Sequence, residues 1–304
     1  RKRSILSIQE AQILNGCQTA WTISSHPKSL EGVEVLVRLT SVEDRKLSEA
    51  IRRATNWQNA ISERDLRSGD FIQKRLQVEF ERLGYYYERK RNEWTLLCKA
   101  RSTPAMESTY PKRNLDNQRL AQLYLAFWSE KPRSAKMEKA EIFKTKGYYN
   151  EVFKTDTTAE NLLLPKLVYD RLKRSLGIGY KKWGARRTTK YLVKIYGDFT
   201  MLSVMGKVLK TRYDLNRRRV ALLVARLENP DDHRDFISSF EGVARKVIDA
   251  SEYFAKRELH EAKRRGESLD VRTLFVREKT LERMFGNRRV AKAIRESSKL
   301  LPRL

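Results

Sequence analysis

The sequence predicts an α+β fold, with a mixed α/β domain over residues 1–110 and a mainly α-helical domain over residues 111–304. Three observations support this prediction. Alternating apolar residues occur only in the first part, apolar residues at helical spacing dominate the second, and proline punctuation separates the two near Pro104 to Pro111. With 304 residues and 40% hydrophobic composition, the chain is long enough to bury the cores of two domains.

The first part alternates predicted strands with predicted helices. Apolar and β-branched residues predict strands over residues 4–14 and 33–39. Tyr85 to Tyr87 and Glu93 to Cys98 are expected to pair as a hairpin across Arg91-Asn92. Apolar residues recur at helical spacing in two further segments, residues 41–54 and 65–84.

Beyond residue 111 the predicted elements are helices. Apolar stripes over residues 115–128 and 162–176 have a helical period, and no alternating pattern competes with them. Four more helices are predicted over residues 190–209, 217–228, 235–263 and 281–300.

Positive charge is concentrated in the second part of the chain. The protein carries 64 Lys+Arg and 38 Asp+Glu, which gives a formal net charge of +26. Residues 1–110 hold 19 basic and 14 acidic side chains, and residues 111–304 hold 45 and 24. Because such an excess repels itself without a polyanionic partner, nucleic acid is the expected partner.

The densest basic segment spans residues 171–226, which hold 16 Lys+Arg and only two acids, Asp198 and Asp214. Cations there can neutralise phosphates, and the interleaved aromatic rings can stack on unpaired bases. A solvated helix face is the alternative interpretation, although such faces usually mix charges of both signs. The candidate nucleic-acid-binding residues are Lys181, Lys182, Trp183, Arg186, Arg187, Lys190, Lys194, Arg217, Arg218 and Arg219.

The sequence lacks the spacing of a metal centre. His26, His233 and His260 lie far from one another and from Cys17 and Cys98, so no metal-ligand motif occurs and no metal site is predicted. No Walker-type phosphate loop is present. Catalytic residues stay unassigned. A nucleotide is a possible cofactor, and Mg²⁺ is expected only if a longer form of the chain is a nuclease.

No stretch of the sequence approaches eighteen consecutive apolar residues, and no signal segment opens the chain. These features predict a cytoplasmic protein with no membrane partner. The chain begins Arg1-Lys2-Arg3-Ser4 without Met, which predicts that an N-terminal segment of the same chain is missing.

Four motifs occur in an order that resembles a known family. Residues 12–20 read Gln-Ile-Leu-Asn-Gly-Cys-Gln-Thr-Ala, and residues 55–59 read Thr-Asn-Trp-Gln-Asn. Asp65-Leu66-Arg67-Ser68 follows, and then Tyr87-Glu88-Arg89-Lys90. The order NGxQT, TNxQN, DLRS and YERK over residues 10–91 resembles the AIPR (abortive infection phage resistance) family. The resemblance implies a bacterial anti-phage protein.

The same layout is similar to the DGQHR family of bacterial DNA-modification regulators and, distantly, to ParB-like folds. Those relatives place a nucleotide or its phosphates against the turn, which implies a nucleotide or polar pocket here. This chain has Gln18-Thr19 where they have Gln-His-Arg, and a structural hydrogen-bond network between the two polar segments is the alternative. The implied pocket residues are Asn15, Gly16, Gln18, Thr19, Asn56, Gln58, Asn59, Asp65 and Arg67.

Three functions remain open from the sequence. The leading prediction is a nucleic-acid-binding module of an anti-phage protein. The second is an enzyme, either a nuclease whose catalytic residues lie in the missing segment or a nucleotide-dependent switch that uses the NGxQT/TNxQN pocket. The third is a scaffold for an acidic protein partner. The choice between DNA and RNA and the formation of a homo-oligomer are not decided by the sequence.

Overall fold

The computed structural model describes residues 13, 17–25, 32–41, 44, 47, 51, 62–112, 114–144, 146–176 and 188–304. It divides into two compact units, Arg1–Ser62 and Glu63–Leu304. Across these described ranges the regular structure is mostly helical, with one two-stranded sheet, which agrees with an α+β class. The similarity to ParB-like folds stays a prediction.

In the first unit, helix α1 spans Cys17–Ser25. Residues 33–41 have exposed side chains and no regular secondary structure, so the strand predicted over residues 33–39 is not formed. The apolar side chains there include Leu36, which is 98% exposed, and they find no partner strand among the described residues. The strand predicted over residues 4–14 and the helix predicted over residues 41–54 lie largely outside the described residues.

The second unit contains strands β1 (Tyr86–Glu88) and β2 (Asn114–Asp116). A short 3-10 helix spans Lys139–Glu141. The helices are α2 (Glu63–Arg67), α3 (Phe71–Arg82), α4 (Glu93–Arg101), α5 (Thr103–Thr109), α6 (Asn117–Phe127), α7 (Pro132–Met137), α8 (Tyr149–Val152), α9 (Ala159–Leu176), α10 (Thr189–Tyr196), α11 (Asp198–Arg212), α12 (Arg217–Glu228), α13 (Arg234–Arg264), α14 (Val271–Val276), α15 (Thr280–Gly286) and α16 (Arg288–Leu300).

The two strands pair in parallel, with Tyr87 opposite Leu115. The predicted hairpin is wrong, because residues 93–101 form helix α4 instead of a partner strand. Asn92 has a left-handed backbone (φ 62°) and directly precedes that helix, so the turn leads into α4 and not back along β1. Parallel strands need a crossover connection, which α4 and α5 provide here.

The predicted boundary at residues 110/111 does not coincide with the division at Ser62/Glu63. Strand β1 lies before residue 110, and its partner β2 lies after it. Phe80 of α3 joins one buried cluster with Leu120 of α6. The proline punctuation reflects a helix start, since Pro104 occupies the first turn of α5, where proline is favoured.

Four of the six helices predicted in the second part form as continuous helices, although Leu115 of the first stripe lies in strand β2. The apolar stripe over residues 162–176 lies within α9, and the segments 217–228 and 235–263 correspond to α12 and α13. Helix α13 buries Phe240, Val247 and Phe254 on one face and is charged on the other. Among the helices that the structure describes, none has both the length and the apolar character that crossing a bilayer requires.

Two of the predicted helices are interrupted. The first is split at Gly197, where an added Cβ would lie 2.9 Å from the Val193 carbonyl oxygen and 3.0 Å from the Phe275 ring. The second is split at Asn287, whose side chain accepts hydrogen bonds from the first N–H groups of α16. In each case one residue ends a continuous helical pattern for a packing or capping reason.

Helix α9 contains an internal proline, Pro165. Proline has no backbone N–H, so the carbonyl of Asn161, four residues earlier, loses its usual helical donor. The indole Nε1–H of Trp128, the residue that directly follows α6, donates to this oxygen at 2.9 Å instead. Helices α6 and α9 are therefore joined where the hydrogen bonding of α9 is interrupted.

Candidate nucleic-acid interface

The residues of the predicted polar pocket are divided between the two units. Gln18 and Thr19 lie in α1, where the Thr19 side chain is exposed. Asp65 and Arg67 lie in α2. The remaining pocket residues, which lie outside the described residues, are Asn15, Gly16, Asn56, Gln58 and Asn59. The pocket therefore stays a prediction.

Asp65 and Arg67 take part in a hydrogen-bonded cluster at the start of the second unit. The Asp65 carboxylate accepts a hydrogen bond from the backbone N–H of Arg91 at 3.3 Å. Arg67 pairs with Asp70 at 3.2 Å, and its guanidinium lies 4.5 Å from the centroid of the Tyr149 ring. These contacts hold the DLRS segment against the end of β1 and against α8.

Buried Arg64 joins α2 to the sheet. Its guanidinium pairs with the Asp116 carboxylate at 2.7 Å and donates to the backbone carbonyl of Glu88 at 2.9 Å. Arg89 donates in turn to the backbone carbonyl of Ser68 at 2.8 Å. The structure thus brings the DLRS and YERK motifs together, and it gives both of them a role in holding the fold.

A buried polar network lies beside this cluster. The Gln73 side-chain oxygen accepts hydrogen bonds from the Tyr87 hydroxyl at 2.9 Å and from the Asn117 amide at 3.2 Å. Burial raises the pKa of Tyr87, so its hydroxyl keeps the proton that it donates. Within the described part of the chain, no group of three or more His, Cys, Asp and Glu residues is placed to hold a metal ion.

The predicted basic region is described only in part. Lys190 and Lys194 lie on α10, and Arg217, Arg218 and Arg219 form the first turn of α12. The predicted contacts outside the described residues are Lys181, Lys182, Trp183, Arg186 and Arg187.

Several cations of residues 171–226 pair with acids from distant parts of the chain. The Lys190 ammonium lies 3.3 Å from Asp249 and 3.7 Å from Glu252, both on α13. The hydrogen bond to Asp249 raises the pKa of Lys190. Lys210 likewise pairs with Glu130 at 3.1 Å. The local excess of charge in the sequence therefore overstates the positive charge available to a ligand.

The first turn of α12 retains its positive charge. Arg217, Arg218 and Arg219 are all exposed, and Arg219 pairs with Asp214 at 3.3 Å. Neither Arg217 nor Arg218 forms an ion pair with any residue that the structure describes. A helix N-terminus is itself partially positive, so cations at this turn are unfavourable unless an anion binds beside them.

A shallow groove of about 250 Å³ adjoins this turn. Its lining residues are Asn216, Arg218, Arg219, Leu222 and Leu304. The last residues of the chain lie across α12, since the Tyr213 hydroxyl donates to the Pro302 carbonyl at 2.6 Å and Arg226 donates to the Arg303 carbonyl at 3.0 Å. Positive and apolar surfaces therefore meet at the groove.

A second basic surface, which was not predicted from the sequence, lies on α16. Arg288, Lys292, Arg295 and Lys299 recur at i, i+4, i+7 and i+11, and all four are exposed. This spacing places them on one face of a helix. The signal was present in the sequence, but it could be interpreted only once α16 was known to begin at residue 288.

Comparison with known proteins assigns a family. A family model described as "AIPR protein" matches residues 1–264, which is most of the chain, and the match ends at the last residue of α13. No curated protein and no solved structure matches the chain. The extent of the family match agrees with the order of the four motifs, which falls within it. The chain therefore belongs to the AIPR family of abortive-infection, anti-phage proteins.

Proposed function

We propose that this AIPR chain acts in phage defence by binding nucleic acid through the candidate basic residues of the segment 171–226. The observation that carries the proposal is the exposed arginine turn of α12, which comprises Arg217, Arg218 and Arg219. Two of its three guanidinium groups have no acidic partner among the residues described. Such groups are suited to a phosphate, which can neutralise them without a protein carboxylate.

The chemistry of the turn suits an anion such as phosphate. A guanidinium can donate two parallel hydrogen bonds to a phosphate. The first backbone N–H groups of a helix have no acceptor within the helix. In α12 the side-chain oxygen of Asn216 accepts a hydrogen bond from the backbone N–H of Arg219 at 3.0 Å. The N–H groups of the neighbouring positions point in the same direction and strengthen the attraction for an anion.

Lys190 and Lys194 on α10 remain predicted contacts with nucleic acid. We expect Lys190 to contribute less to binding. Its ammonium already lies beside Asp249 and Glu252, so contact with phosphate would compete with two carboxylates. The unpaired arginines of α12 face no such competition from the residues described. We therefore assign the larger contribution to α12.

Fluorescence anisotropy tests the proposal with labelled duplex DNA, single-stranded DNA and RNA over a salt series. We expect salt-sensitive, submicromolar binding that is lost in the R217E/R218E/R219E variant, because each removed cation lowers the number of counterions released. Absence of binding to all three nucleic acids at low salt would overturn the proposal.

The matched control is the K74E/R82E/K99E variant. These three exposed basic residues lie on α3 and α4, and none forms an ion pair with a described residue. The net charge of this control variant changes by the same amount as that of the α12 variant. Retained binding in the control places the interface on α12, whereas an equal loss in both variants assigns binding to net charge alone and contradicts the proposed site.

A further inference from the structure

The segment after the family match carries its own excess of positive charge. Between residues 288 and 304 the only acid is Glu296. The basic residues of the same stretch are Arg288, Arg289, Lys292, Arg295, Lys299 and Arg303. The family match ends at residue 264, so these basic residues lie outside the part of the chain that the family model describes.

The α16 face, defined as Arg288, Lys292, Arg295 and Lys299, is weakly neutralised. Its one ion pair among the described residues joins Lys292 to Glu296 at 3.7 Å, with the two side chains 70% and 55% exposed. An ion pair so exposed contributes little and is screened by salt. The α16 face therefore presents a row of cations to solvent.

The opposite face of α16 is covered by protein. Val290 and Ile294 are buried in the main core, where the helix packs against α11 and α13. An amphipathic helix that binds a membrane must lay its apolar face into the bilayer. Because that face is already occupied, the exposed side can offer only charge, which does not fit a membrane anchor.

The last residues of the chain link the end of α16 to α12. The chain leaves α16 after Leu300 and passes Arg303, whose carbonyl accepts a hydrogen bond from Arg226 of α12. Leu304 then lines the groove beside Arg218 and Arg219. Residues 301–304, of which Arg303 is the one cation, thus connect the end of α16 to the groove beside the start of α12.

We propose that the α16 face binds the phosphate backbone of double-stranded nucleic acid and extends the interface of α12. The inference rests on the proposed function and names the ligand class more narrowly. The row spans about 16 Å at the rise of an α-helix, a length that faces about five phosphates of each strand in a duplex. A rigid row of this kind matches a regular backbone better than a flexible single strand.

The composition of α16 also favours backbone contacts. The helix, Arg288–Leu300, contains no aromatic residue. The neighbouring Tyr253 ring is covered by the Arg289 guanidinium, 4.2 Å from its centroid. Unpaired bases are held mainly by stacking on exposed aromatic rings, which this face lacks. The α16 face is therefore expected to bind duplexes with little preference for sequence.

The test compares the full chain with its R288Q/K292Q/R295Q/K299Q variant. The probes are duplex DNA, duplex RNA and single-stranded DNA, each of mixed sequence, together with vesicles that contain anionic lipid. We expect the slope of log affinity against log salt for the duplexes to fall by about 3 to 4, close to one for each cation removed. Binding of the single strand should change less than binding of the duplexes.

The matched control is K74Q/R82Q/K99Q/R101Q, which removes four exposed cations from α3 and α4. A slope that falls equally in this control overturns the inference, and so does an unchanged slope in the α16 variant. Loss of vesicle binding without loss of duplex binding also overturns it. If the fourfold variant melts early, K292Q/R295Q takes its place, with an expected fall of about 2 in the slope.

The two proposals fail separately. Loss of binding in the α12 variant, with an unchanged slope in the α16 variant, supports the proposed function and overturns this inference. A reduced slope in the α16 variant, with normal binding by the α12 variant, supports duplex binding by the α16 face but overturns both the proposed site on α12 and the extension of that site. If the unaltered chain binds none of the nucleic acids, both proposals are wrong.

Discussion

Two basic regions of this chain hold their charge in different ways. Residues 171–226 contain sixteen cations and two acids, but in the fold Lys190 and Lys210 lie beside acids from other segments. The later segment, residues 288–304, has fewer cations, yet Arg288 and Arg295 remain exposed without an acidic partner among the described residues. The comparison teaches that the density of charge along a sequence does not measure the charge on a surface.

Pairing divides the cations of this protein by role. A paired, buried cation stabilises the fold and is not available to a ligand, whereas an unpaired, exposed cation adds little stability and can bind phosphate. The following substitutions test that division, from the largest expected effect on stability to the smallest.

Arg64→Ala should have the largest effect. The change removes a buried guanidinium from Asp116 and from the Glu88 carbonyl, and Asp116 is 38% exposed and can be rehydrated in part. We expect a loss of about 2–3 kcal/mol in the free energy of unfolding, measured by urea denaturation. Arg64→Lys should lose less because it keeps the charge. If the Arg64→Ala variant is as stable as the unaltered chain but binds duplexes less well, the division between stabilising and phosphate-binding cations is wrong.

Lys210→Met should cost about 1 kcal/mol in the free energy of unfolding, because its partner Glu130 and its own side chain are each about 30% exposed. The ammonium also donates to the Trp128 carbonyl at 3.0 Å. Glu130→Gln should give a smaller loss, and the double variant should lose less than the sum of the single changes. Strict additivity would show that the two side chains do not interact.

Lys190→Gln should change stability by about 0.5 kcal/mol or less, since the Lys190 side chain is 49% exposed. The loss of stability should shrink as salt is added, which thermal melting at two ionic strengths can measure.

In the anisotropy assay, Arg218→Gln should lower the slope of log affinity against log salt by about 1, and Lys190→Gln should lower it by less. Equal slopes for the two variants would contradict the role assigned to pairing.

Arg217→Glu should have the smallest effect on stability, and one of opposite sign. An acid at the first turn of α12 interacts favourably with the helix dipole, so we expect Tm to rise by roughly 1–3 °C while duplex binding weakens. Arg217→Gln removes the cation without adding an anion and should raise Tm less. A fall in Tm would mean that Arg217 has a stabilising contact beyond the residues described.

The sequence predicted elements whose pattern is local. The extents of α12 and α13 followed from apolar periodicity, because one helix face is buried over its whole length. The partner of Tyr87 did not follow, since Leu115 is distant in sequence and local propensity cannot choose between a near and a distant strand.

The candidate interface shows the same limit. The arginine turn of α12 was identified from its run of three cations, but the neutralisation of Lys190 by Asp249 depends on the packing of α10 against α13. The α16 face required both a helical period and the helix start set by Asn287. Long-range pairing and helix breaks were therefore the two kinds of information that the sequence alone did not supply.

The bond between Trp128 and the Asn161 carbonyl couples two positions that are distant in sequence. With Pro165 present, Trp128→Phe leaves an acceptor in α9 without its donor, whereas with Pro165→Ala the helix regains its own N–H and the indole becomes dispensable. Each substitution therefore changes the cost of the other. Among diverging homologues, the proline and the tryptophan should therefore be lost together. Replacing Pro165 first makes the later loss of Trp128 harmless, whereas replacing Trp128 first leaves the Asn161 carbonyl without a donor.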